Sequence, residues 1–415
     1  MSNENSIMTG IRELPQHLNL KTISSGLLAG IFGITGPAVI IIGGASEAGL
    51  TQAQTISWIF SVYFFGALIG LFLSLKYRQP IIGAWSIPGA VLVAAALQNY
   101  SLAEAVGAYF IAGVIVFVLG ISGVIGKIMY WLPAPIIMAM IAGAMIRFGT
   151  GMITSLQSAT LVAGSAILAY LVSSRLTKKF PPILSALLVS VTIAAFMGLF
   201  QMGDMAPTFV GPQFFTPAFS VGAILSIAIP LAILVIGAEN AQASGVLMSQ
   251  GYKPPINSMT IWSGVGGMAT AFFGGHNANI AGPMTAICAS EESGKKLSGR
   301  YASVIVNFIV FGGFGLLAGI AVPFVIAMPG ALVGTVAGLA MIGVLLSSLQ
   351  AAFSKSRFQI GAFFSLIIAM SGISFFGISS PFWAIIGGVI VSLIIEGKDF
   401  EQSRTGGETT TKATA

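Results

Sequence analysis

Long apolar stretches separated by short polar segments run through most of the chain. A bilayer-spanning helix needs about 20 mostly apolar residues, or fewer where a half-helix is supported by neighbouring protein. The pattern predicts an all-α membrane protein with fourteen transmembrane segments. These spans are expected near 24–45, 53–75, 80–97, 103–122, 133–149, 155–173, 182–200, 219–248, 257–275, 279–290, 301–322, 328–350, 358–378 and 381–396.

The two sets of seven spans resemble each other at a constant offset. Pro88 in span 3 and Pro283 in span 10 are 195 residues apart, and so are Ala142 in span 5 and Ala337 in span 12. Because seven is an odd number, a second copy that starts on the other side of the membrane is inverted relative to the first. Inverted repeats are typical of secondary transporters, whose binding site lies at mid-membrane between the repeats.

This 7+7 inverted repeat divides the chain into five parts. They are a cytoplasmic N-terminal segment, a first seven-span repeat, an extracytoplasmic linker, a second seven-span repeat and a disordered cytoplasmic tail, at 1–22, 23–200, 201–218, 219–396 and 397–415. The tail is rich in Thr, Gly and charged residues, a composition that buries too little apolar surface to fold.

The placement of charge agrees with this topology. With the N-terminus inside, all but one of the 18 Lys and Arg residues fall in segments on the same side of the membrane. Basic residues gather in cytoplasmic loops, so the alternation predicts that both termini are cytoplasmic. The exception is Arg147, near the outer end of span 5. We expect its side chain to extend to the membrane interface rather than to contact a substrate.

The composition excludes most other classes of protein. Apolar residues make up 56% of the chain and charged residues only 7%, against about 25% charged residues in soluble domains. The net charge of +6 follows from the topology, so we predict no nucleic-acid partner. Cys288 is the single cysteine, which excludes an intramolecular disulfide. The chain has two histidines and no His-Glu-x-x-His sequence, and we predict no metal, no cofactor and no enzymatic activity.

Spans 3 and 10 are short and are interrupted by Gly and Pro at matching positions. Each is predicted to be an extended stretch that leads into a half-helix beginning at mid-membrane, because Pro is favoured in the first helical turn. Two such N-termini facing each other offer backbone N–H groups and positive dipole ends, which together favour an anion. Two ordinary helices kinked by proline are the alternative. The substrate-binding candidates here are Pro88, Gly89, Ala281 and Gly282.

Glu239 lies deep in span 8, where a carboxylate costs about 2.5–3.5 kcal/mol on insertion scales. Burial favours the neutral form of a carboxyl group, so this residue could bind and release a proton. We therefore predict that Glu239 couples protons and contacts substrate; the alternative is a neutral acid that holds helices together. Asn240 and Gln242 are further candidates, although amides at such positions often bridge helices.

The extended stretches before the half-helices contain polar and aromatic candidates. His276 could donate to a substrate carboxylate, relay a proton or serve as a structural residue. Asn277 and Asn279 could bind a ligand or cap the second half-helix. Ser86 and Trp85 occupy the matching stretch of span 3, where Trp85 could form an aromatic wall of the site or simply pack.

Two motifs resemble those of the BenE family of benzoate/proton symporters. They are the stretches 237–243 (GAENAQA) and 272–283 (FFGGHNANIAGP). The resemblance covers nearly the whole chain, and BenE proteins are similar in turn to the uracil transporter UraA and the nucleobase/ascorbate transporters. This similarity implies a UraA-like fold divided into a core domain and a gate domain. The core domain would be formed by 23–122 and 219–322, and the gate domain by 133–200 and 328–396.

In that wider group a glutamate of span 8 contacts the substrate, and Glu239 matches its position. The sequence departs from the nucleobase carriers at the start of span 10. They have a second glutamate there, whereas this chain has His276-Asn277-Ala278-Asn279. Hydrogen-bond donors and dipole ends in place of a second acid suit an aromatic carboxylate such as benzoate.

We therefore expect a secondary transporter that takes up benzoate or a similar aromatic carboxylate together with protons. The expected location is the bacterial cytoplasmic (inner) membrane, with membrane lipids around the spans. The alternatives are a nucleobase or other small-anion transporter on the same fold, and a passive anion channel. The resemblance also allows a homodimer formed through the gate domain.

Overall fold

The computed structural model is predominantly helical. It describes residues 7–35, 37–123, 133–176, 181–200, 211–354, 356–375 and 378–400. Parts of all five predicted segments therefore lie outside the described residues: 1–6 of the N-terminal segment, 36, 124–132 and 177–180 of the first repeat, 201–210 of the linker, 355 and 376–377 of the second repeat, and 401–415 of the tail.

The first half of the chain contains helices of very different lengths. They are α1 (Ile7–His17), α2 (Leu20–Thr35), α3 (Pro37–Glu47), α4 (Gln52–Tyr77), α5 (Ile87–Ala96), α6 (Leu102–Ser122), α7 (Ala134–Ser158), α8 (Thr160–Leu176) and α9 (Pro182–Phe196). A two-residue strand, β1 (Gly83–Ala84), comes shortly before α5.

The second half alternates long helices with short ones in a similar way. Its helices are α10 (Val221–Met248), α11 (Ile256–Ala271), α12 (Gly282–Ala289), α13 (Leu297–Leu316), α14 (Ala318–Ile326), α15 (Gly330–Phe353), α16 (Gln359–Ser371) and α17 (Ser380–Ile395). Strand β2 (Asn279–Ile280) comes just before α12, and β3 (Ser374–Phe375) pairs with β4 (Ile378–Ser379).

Within the described ranges, seven helical stretches are long and apolar enough to cross a membrane. They are α2 with α3, α4, α6, α7, α10, α13 and α15. Shorter apolar helices accompany them, namely α5, α8, α9, α16 and α17. The molecule is thus a multi-pass helical membrane protein, while fourteen spans in two inverted sets remain a prediction.

Helices α5 and α12 are too short to cross a bilayer alone. They contain 10 and 8 residues, which at about 1.5 Å per residue is no more than about half of a hydrocarbon core of about 30 Å. Each begins one residue before a proline, at Ile87 before Pro88 and at Gly282 before Pro283. The prediction of short helices starting at these prolines agrees with the structure.

Strands β1 and β2 hold the two short helices in register. They pair antiparallel, with Gly83 opposite Ile280 and Ala84 opposite Asn279. On the other side of β1, glycines of α4 allow its backbone to come close: a Cβ atom added to Gly66 would lie only 2.6 Å from the carbonyl oxygen of Ala84. The crossing of the two strands is therefore built on a face of α4 that has no side chain.

The helices form two groups of neighbours. In one, α7 packs against α15 and α16, α16 packs against α17, and α8 packs against α9. In the other, α2 packs against α12 and α13, α11 packs against α6, and the last segment of α10 packs against α12. The groups meet where α5 contacts α7, where α3 contacts α15, and where the middle of α10 contacts α7 and α17. The assignment of these groups to a gate and a core domain stays a prediction.

Candidate functional site

The N-termini of the two short helices lie next to each other at the β1–β2 crossing. Beyond the strand pairing, the backbone N–H of Ala281 donates to the carbonyl oxygen of Ile82 at 2.9 Å. The N–H of Ile82 in turn donates to Thr285 Oγ1 at 3.2 Å. Because each helix starts within three residues of its strand, these bonds fix the positions of both helix ends.

Ser86 caps the N-terminus of α5. Its backbone is extended, as is usual for an N-cap residue, and its Oγ accepts a hydrogen bond from the N–H of Gly89 at 3.1 Å. The N–H of Ser86 donates to Oδ1 of Asn277 at 3.1 Å. The helix that follows is buried from Pro88 to Ala94, so this end of the site is both capped and covered.

The N-terminus of α12 has no such cap. Its N-cap residue is Ala281, and no side chain accepts a hydrogen bond from the first turn. Gln242 of α10 lies over this end, because a Cβ atom added to Gly282 would lie 2.6 Å from Gln242 Oε1. Gln242 and Pro283 are exposed. The positive end of α12 is therefore uncapped and lies beside exposed residues, while Ala281 and Gly282 themselves are buried.

Glu239 is positioned by an irregular turn of α10. The segment Val235–Asn240 is π-helical, and such insertions in α-helices are frequent at functional sites. Oε1 of the partly buried Glu239 accepts a hydrogen bond from Ser86 Oγ at 2.9 Å. The carboxyl group thus contacts the residue that caps α5, close to the positive end of that helix dipole.

Both ring nitrogens of His276 are used by the protein. Nδ1 lies 2.9 Å from Nε1 of Trp58, and Nε2 lies 2.9 Å from the carbonyl oxygen of Ser86. An indole N–H can only donate, so Nδ1 is the acceptor and the ring is neutral with its proton on Nε2. That proton is donated to Ser86. In this conformation His276 holds the extended stretch before α5 and has no ring nitrogen free for a ligand.

The three predicted asparagines have different surroundings. Asn240 bridges segments: its Oδ1 accepts from the N–H of Ile280 at 3.2 Å, and its Nδ2 donates to Ser263 Oγ at 3.1 Å. Asn277 uses Oδ1 to hold Ser86, while its buried Nδ2 has no hydrogen-bond partner. Asn279 is fully buried, and neither Oδ1 nor Nδ2 has a partner. Because buried polar groups are normally paired, Asn277 and Asn279 retain hydrogen-bonding capacity at the crossing.

Trp85 lies in a buried aromatic cluster. Its ring meets those of Tyr63 and His276 edge-on, with centroids 5.6 Å and 5.7 Å apart. Gly89 is also tightly packed, since a Cβ atom added there would lie 2.8 Å from Leu231 Cδ1 and 3.1 Å from His276 Cδ2. Trp85 and Gly89 therefore contribute packing contacts, whereas Ser86, Glu239 and the first turn of α12 contribute the polar groups of the site.

Two contacts of the site were not anticipated from the sequence. Trp58 lies within an apolar stretch that reads as an ordinary span, and nothing local marks it as the partner of His276. Arg147 is exposed, so its extension to the membrane interface stays a prediction, and it donates from Nη2 to the carbonyl oxygen of Val91 in α5 at 3.4 Å. Its guanidinium also lies over the ring of Phe148, 5.2 Å from the centroid. Arg147 therefore links α7 to the covered half-helix.

Comparison with known sequences gives a consistent family. The family profile described as "Benzoate membrane transport protein" (BenE) matches residues 16–394. A benzoate membrane transport protein of Acinetobacter baylyi is 29% identical over 387 residues, which is 93% of this chain and 98% of that protein. The inner membrane protein YdcO of Escherichia coli K12 is 29% identical over 374 residues, 90% of this chain and 95% of that protein.

Solved structures share the fold at low sequence identity. The murine anion transporter Slc26a9, in its inward-facing state, has a TM-score of 0.62 and 16% identity, covering 95% of this chain and 72% of that one. The transmembrane domain of the cyanobacterial bicarbonate transporter BicA has a TM-score of 0.59 and 17% identity, covering 91% of this chain and 98% of that one. These likenesses concern the fold, whereas the sequence profile spans most of the chain. The chain therefore belongs to the BenE family of benzoate membrane transport proteins, which are transporters and not enzymes.

Proposed function

We propose that this protein is a secondary active transporter that takes up benzoate, or a similar aromatic carboxylate, together with a proton. The observation that carries the proposal is the hydrogen bond of 2.9 Å between Glu239 Oε1 and Ser86 Oγ. It joins an ionisable carboxyl group to the N-cap residue of one half-helix, and Gln242 of the same helix α10 lies over the uncapped N-terminus of the other. This arrangement supports a proton site and an anion site that lie close together.

The chemistry of the site favours a carboxylate substrate. Helix N-termini bind anions through N–H groups and the helix dipole. The exposed Gln242 lies beside the first turn of α12, and Asn277 and Asn279 have unused hydrogen-bonding atoms nearby. Among the described residues that form this site, Glu239 is the one carboxyl group. A site with a single acid and several donors suits a substrate that itself brings a carboxylate.

The mechanism follows from charge. An ionised Glu239 repels a carboxylate bound between Pro88–Gly89 and Gly282–Pro283, and protonation of Glu239 removes that repulsion. Movement of the core domain against the gate domain then exposes the loaded site on the other side, where both proton and substrate leave. One proton with one monoanion moves no net charge. A gradient of one pH unit therefore supplies about 1.4 kcal/mol, which is at most about tenfold accumulation.

The names of the relatives support this assignment. The Acinetobacter baylyi protein is named for benzoate transport, and the Escherichia coli protein is named as an inner membrane protein. The two structures of similar fold are named as anion and bicarbonate transporters. For this chain we propose the bacterial cytoplasmic membrane, both termini in the cytoplasm, and a homodimer formed through the gate domain.

Uptake of labelled benzoate into proteoliposomes, with and without an inward proton gradient, tests the proposal. We expect saturable, gradient-driven uptake that falls at least about tenfold in Glu239→Gln, because this side chain cannot exchange a proton. Glu104→Gln is the matched control: Glu104 closes a capping box with Ser101 at the exposed start of α6, and Gln also fits that role. Protein-free vesicles correct for benzoic acid that crosses lipid unaided.

Three results would contradict the proposal. Gradient-driven uptake at the full rate in Glu239→Gln would remove proton coupling from this residue. Flux that neither saturates nor responds to the gradient would indicate a passive channel. Uptake of uracil in preference to benzoate would indicate a nucleobase carrier.

A further inference from the structure

Ser86 is a point at which four elements of the site meet. Its N–H donates to Asn277, its carbonyl oxygen accepts from His276, its Oγ accepts from Gly89 and its hydroxyl donates to Glu239. The carbonyl oxygen also accepts the helical N–H of Ala90 at 2.9 Å. Every polar atom of Ser86 is engaged, and the residue is completely buried. Its position is therefore fixed from both backbone and side chain.

The hydroxyl group of Ser86 has a limited capacity for hydrogen bonds. A hydroxyl carries one proton and two acceptor lone pairs. The N–H of Gly89 occupies one lone pair at 3.1 Å, and the one proton points to Glu239 Oε1 at 2.9 Å. As long as Glu239 is ionised, the hydroxyl proton of Ser86 stays directed at Glu239, because a charged acceptor forms a stronger hydrogen bond than a neutral one. No hydroxyl proton is then available for a second acceptor.

We propose that the single proton of the Ser86 hydroxyl couples proton binding to substrate binding, an inference that rests on the proposed function. When Glu239 is protonated, its O–H donates to the second lone pair of Ser86 Oγ. The Ser86 proton then rotates to an oxygen of the substrate carboxylate at the half-helix N-termini. The number of protons balances: one enters on Glu239, and the Ser86 proton exchanges one acceptor for another. The substrate gains a donor only after the proton has bound.

No other ionisable group competes with Glu239 for this role. The segment Val235–Asn240 is packed against the adjoining segments of α10, against α11, against β2 and against α7. Within the described residues of these elements, Arg147 of α7 is the one other charged side chain, and its guanidinium points to Val91. His276 faces Ser86 in its neutral form, since it accepts from Trp58. A change of charge at Ser86 therefore comes from Glu239.

Benzoate binding to the purified full-length protein, measured by calorimetry between pH 6 and 8, tests the inference. In the unmodified protein we expect affinity to rise as the pH falls, by up to about tenfold per pH unit, the limiting slope for one linked proton. Ser86→Ala has no hydroxyl proton, so its affinity should be weak throughout and change less than about threefold per unit. Ser86→Thr keeps one hydroxyl and is the matched control, with the full slope.

A second variant, Ser86→Asn, adds hydrogen-bond donors at the position where Ser86→Ala removes the only one. Ser86→Asn keeps an acceptor for the N–H of Gly89 and supplies two N–H donors, so it can serve Glu239 and the substrate together. We expect tighter binding than in Ser86→Ala, with a residual slope of less than about threefold per pH unit that comes from the charge repulsion of Glu239. Because Ser86→Ala also removes the cap of α5, the asparagine variant carries the test if the alanine variant does not fold.

The outcomes separate this inference from the proposed function. A full tenfold slope in either Ser86→Ala or Ser86→Asn, together with its loss in Glu239→Gln, overturns the hydroxyl switch and leaves coupling to charge repulsion alone. A slope that persists in Glu239→Gln overturns both, since the proton then travels on the substrate itself. Absence of benzoate binding to the unmodified protein overturns the proposed function.

Discussion

The two half-helices occupy equivalent places in the sequence and differ in the folded protein. Helix α5 is capped by Ser86, buried from Pro88 to Ala94 and packed against α3 and α7. Helix α12 starts without a side-chain cap and packs against α2 and the last segment of α10. Pro283 is exposed, whereas its counterpart Pro88 is buried. The same sequence pattern has produced one closed and one open end.

This difference indicates how a symmetric pattern gives a directional site. Helix α5 lies where the two groups of helices touch, as do α3 and the middle of α10, which contact α15, α7 and α17. On the other side the end of α10 and α12 expose Gln242, Pro283 and Ala286. On the proposed function, we expect a ligand to enter from the α12 side in this conformation, and the contacts over α5 to separate before it leaves by the opposite route.

The largest effect should come from the crossing that supports both half-helices. A Cβ atom added to Gly83 would collide with the backbone of α4 at Gly66 and Gly70, which cannot move aside. We expect Gly83→Ala to lower the free energy of unfolding by about 3 kcal/mol and the Tm in detergent by at least about 5 °C. Gly151→Ala is the control, because a Cβ atom there meets nothing within 4 Å. Equal Tm values for the two variants would contradict this account of the crossing.

Cysteine labelling should measure the difference between the half-helices directly. The native Cys288 is completely buried and gives little background. Ala286 is exposed, and its counterpart 195 residues earlier, Val91, is 1% exposed. We expect Ala286→Cys to react with a water-soluble maleimide at least about tenfold faster than Val91→Cys in the purified protein, since reaction needs solvent access. Similar initial rates would mean that the covered side opens as readily as the exposed one.

Adding a cap to α12 should make the two half-helices more alike. Ala281→Ser places a hydroxyl acceptor at the N-cap, which is worth about 1 kcal/mol of stability. The same hydroxyl occupies an N–H that an anion would use, so benzoate affinity should fall about fivefold while Tm rises slightly. Calorimetry and thermal unfolding measure the two effects. Ala281→Gly, which adds no acceptor, should keep its affinity; a similar loss there would refute competition for the helix end.

The smallest effect should come from the link between α7 and α5. The hydrogen bond from Arg147 to the carbonyl oxygen of Val91 is long, at 3.4 Å, so we assign it no more than about 1 kcal/mol. In the Val91→Cys background, Arg147→Gln should raise the rate of maleimide labelling by no more than about fivefold. Arg147→Lys keeps the charge but lacks the guanidinium, so it tests whether the hydrogen bond from Nη2 is needed to keep the rate low. An unchanged rate in both variants would show that other contacts close this side.

Several features of the site could be predicted because they have local causes. Pro88 and Pro283 mark helix starts, since the missing N–H of proline is tolerated in the first turn, and α5 and α12 begin beside them. The cap that Ser86 forms on α5 was not predicted, although serine two residues before Pro88 stands where serine commonly caps a helix. The carboxyl group of Glu239 stands out within an apolar stretch because of its cost there, and it contacts Ser86 as part of the same cluster.

Other features could not be predicted because they depend on partners far away in the chain. Trp58 and His276 are 218 residues apart, and only their contact decides which nitrogen of His276 carries the proton. The π-helical turn that directs Glu239 has no marker in the local sequence. The contact of Arg147 with the carbonyl oxygen of Val91 likewise depends on the packing of α7 on α5.

The sequence by itself determined the membrane class, the family and the starts of the two half-helices. These follow from hydrophobic stretches, from motifs and from proline, each of which acts over a few residues. The tertiary structure decided which half-helix is capped and covered, and which polar atoms are already paired. Those properties depend on contacts such as Ser86 with Glu239, 153 residues apart. Two segments with the same pattern can therefore have opposite exposure, because burial depends on what packs against them.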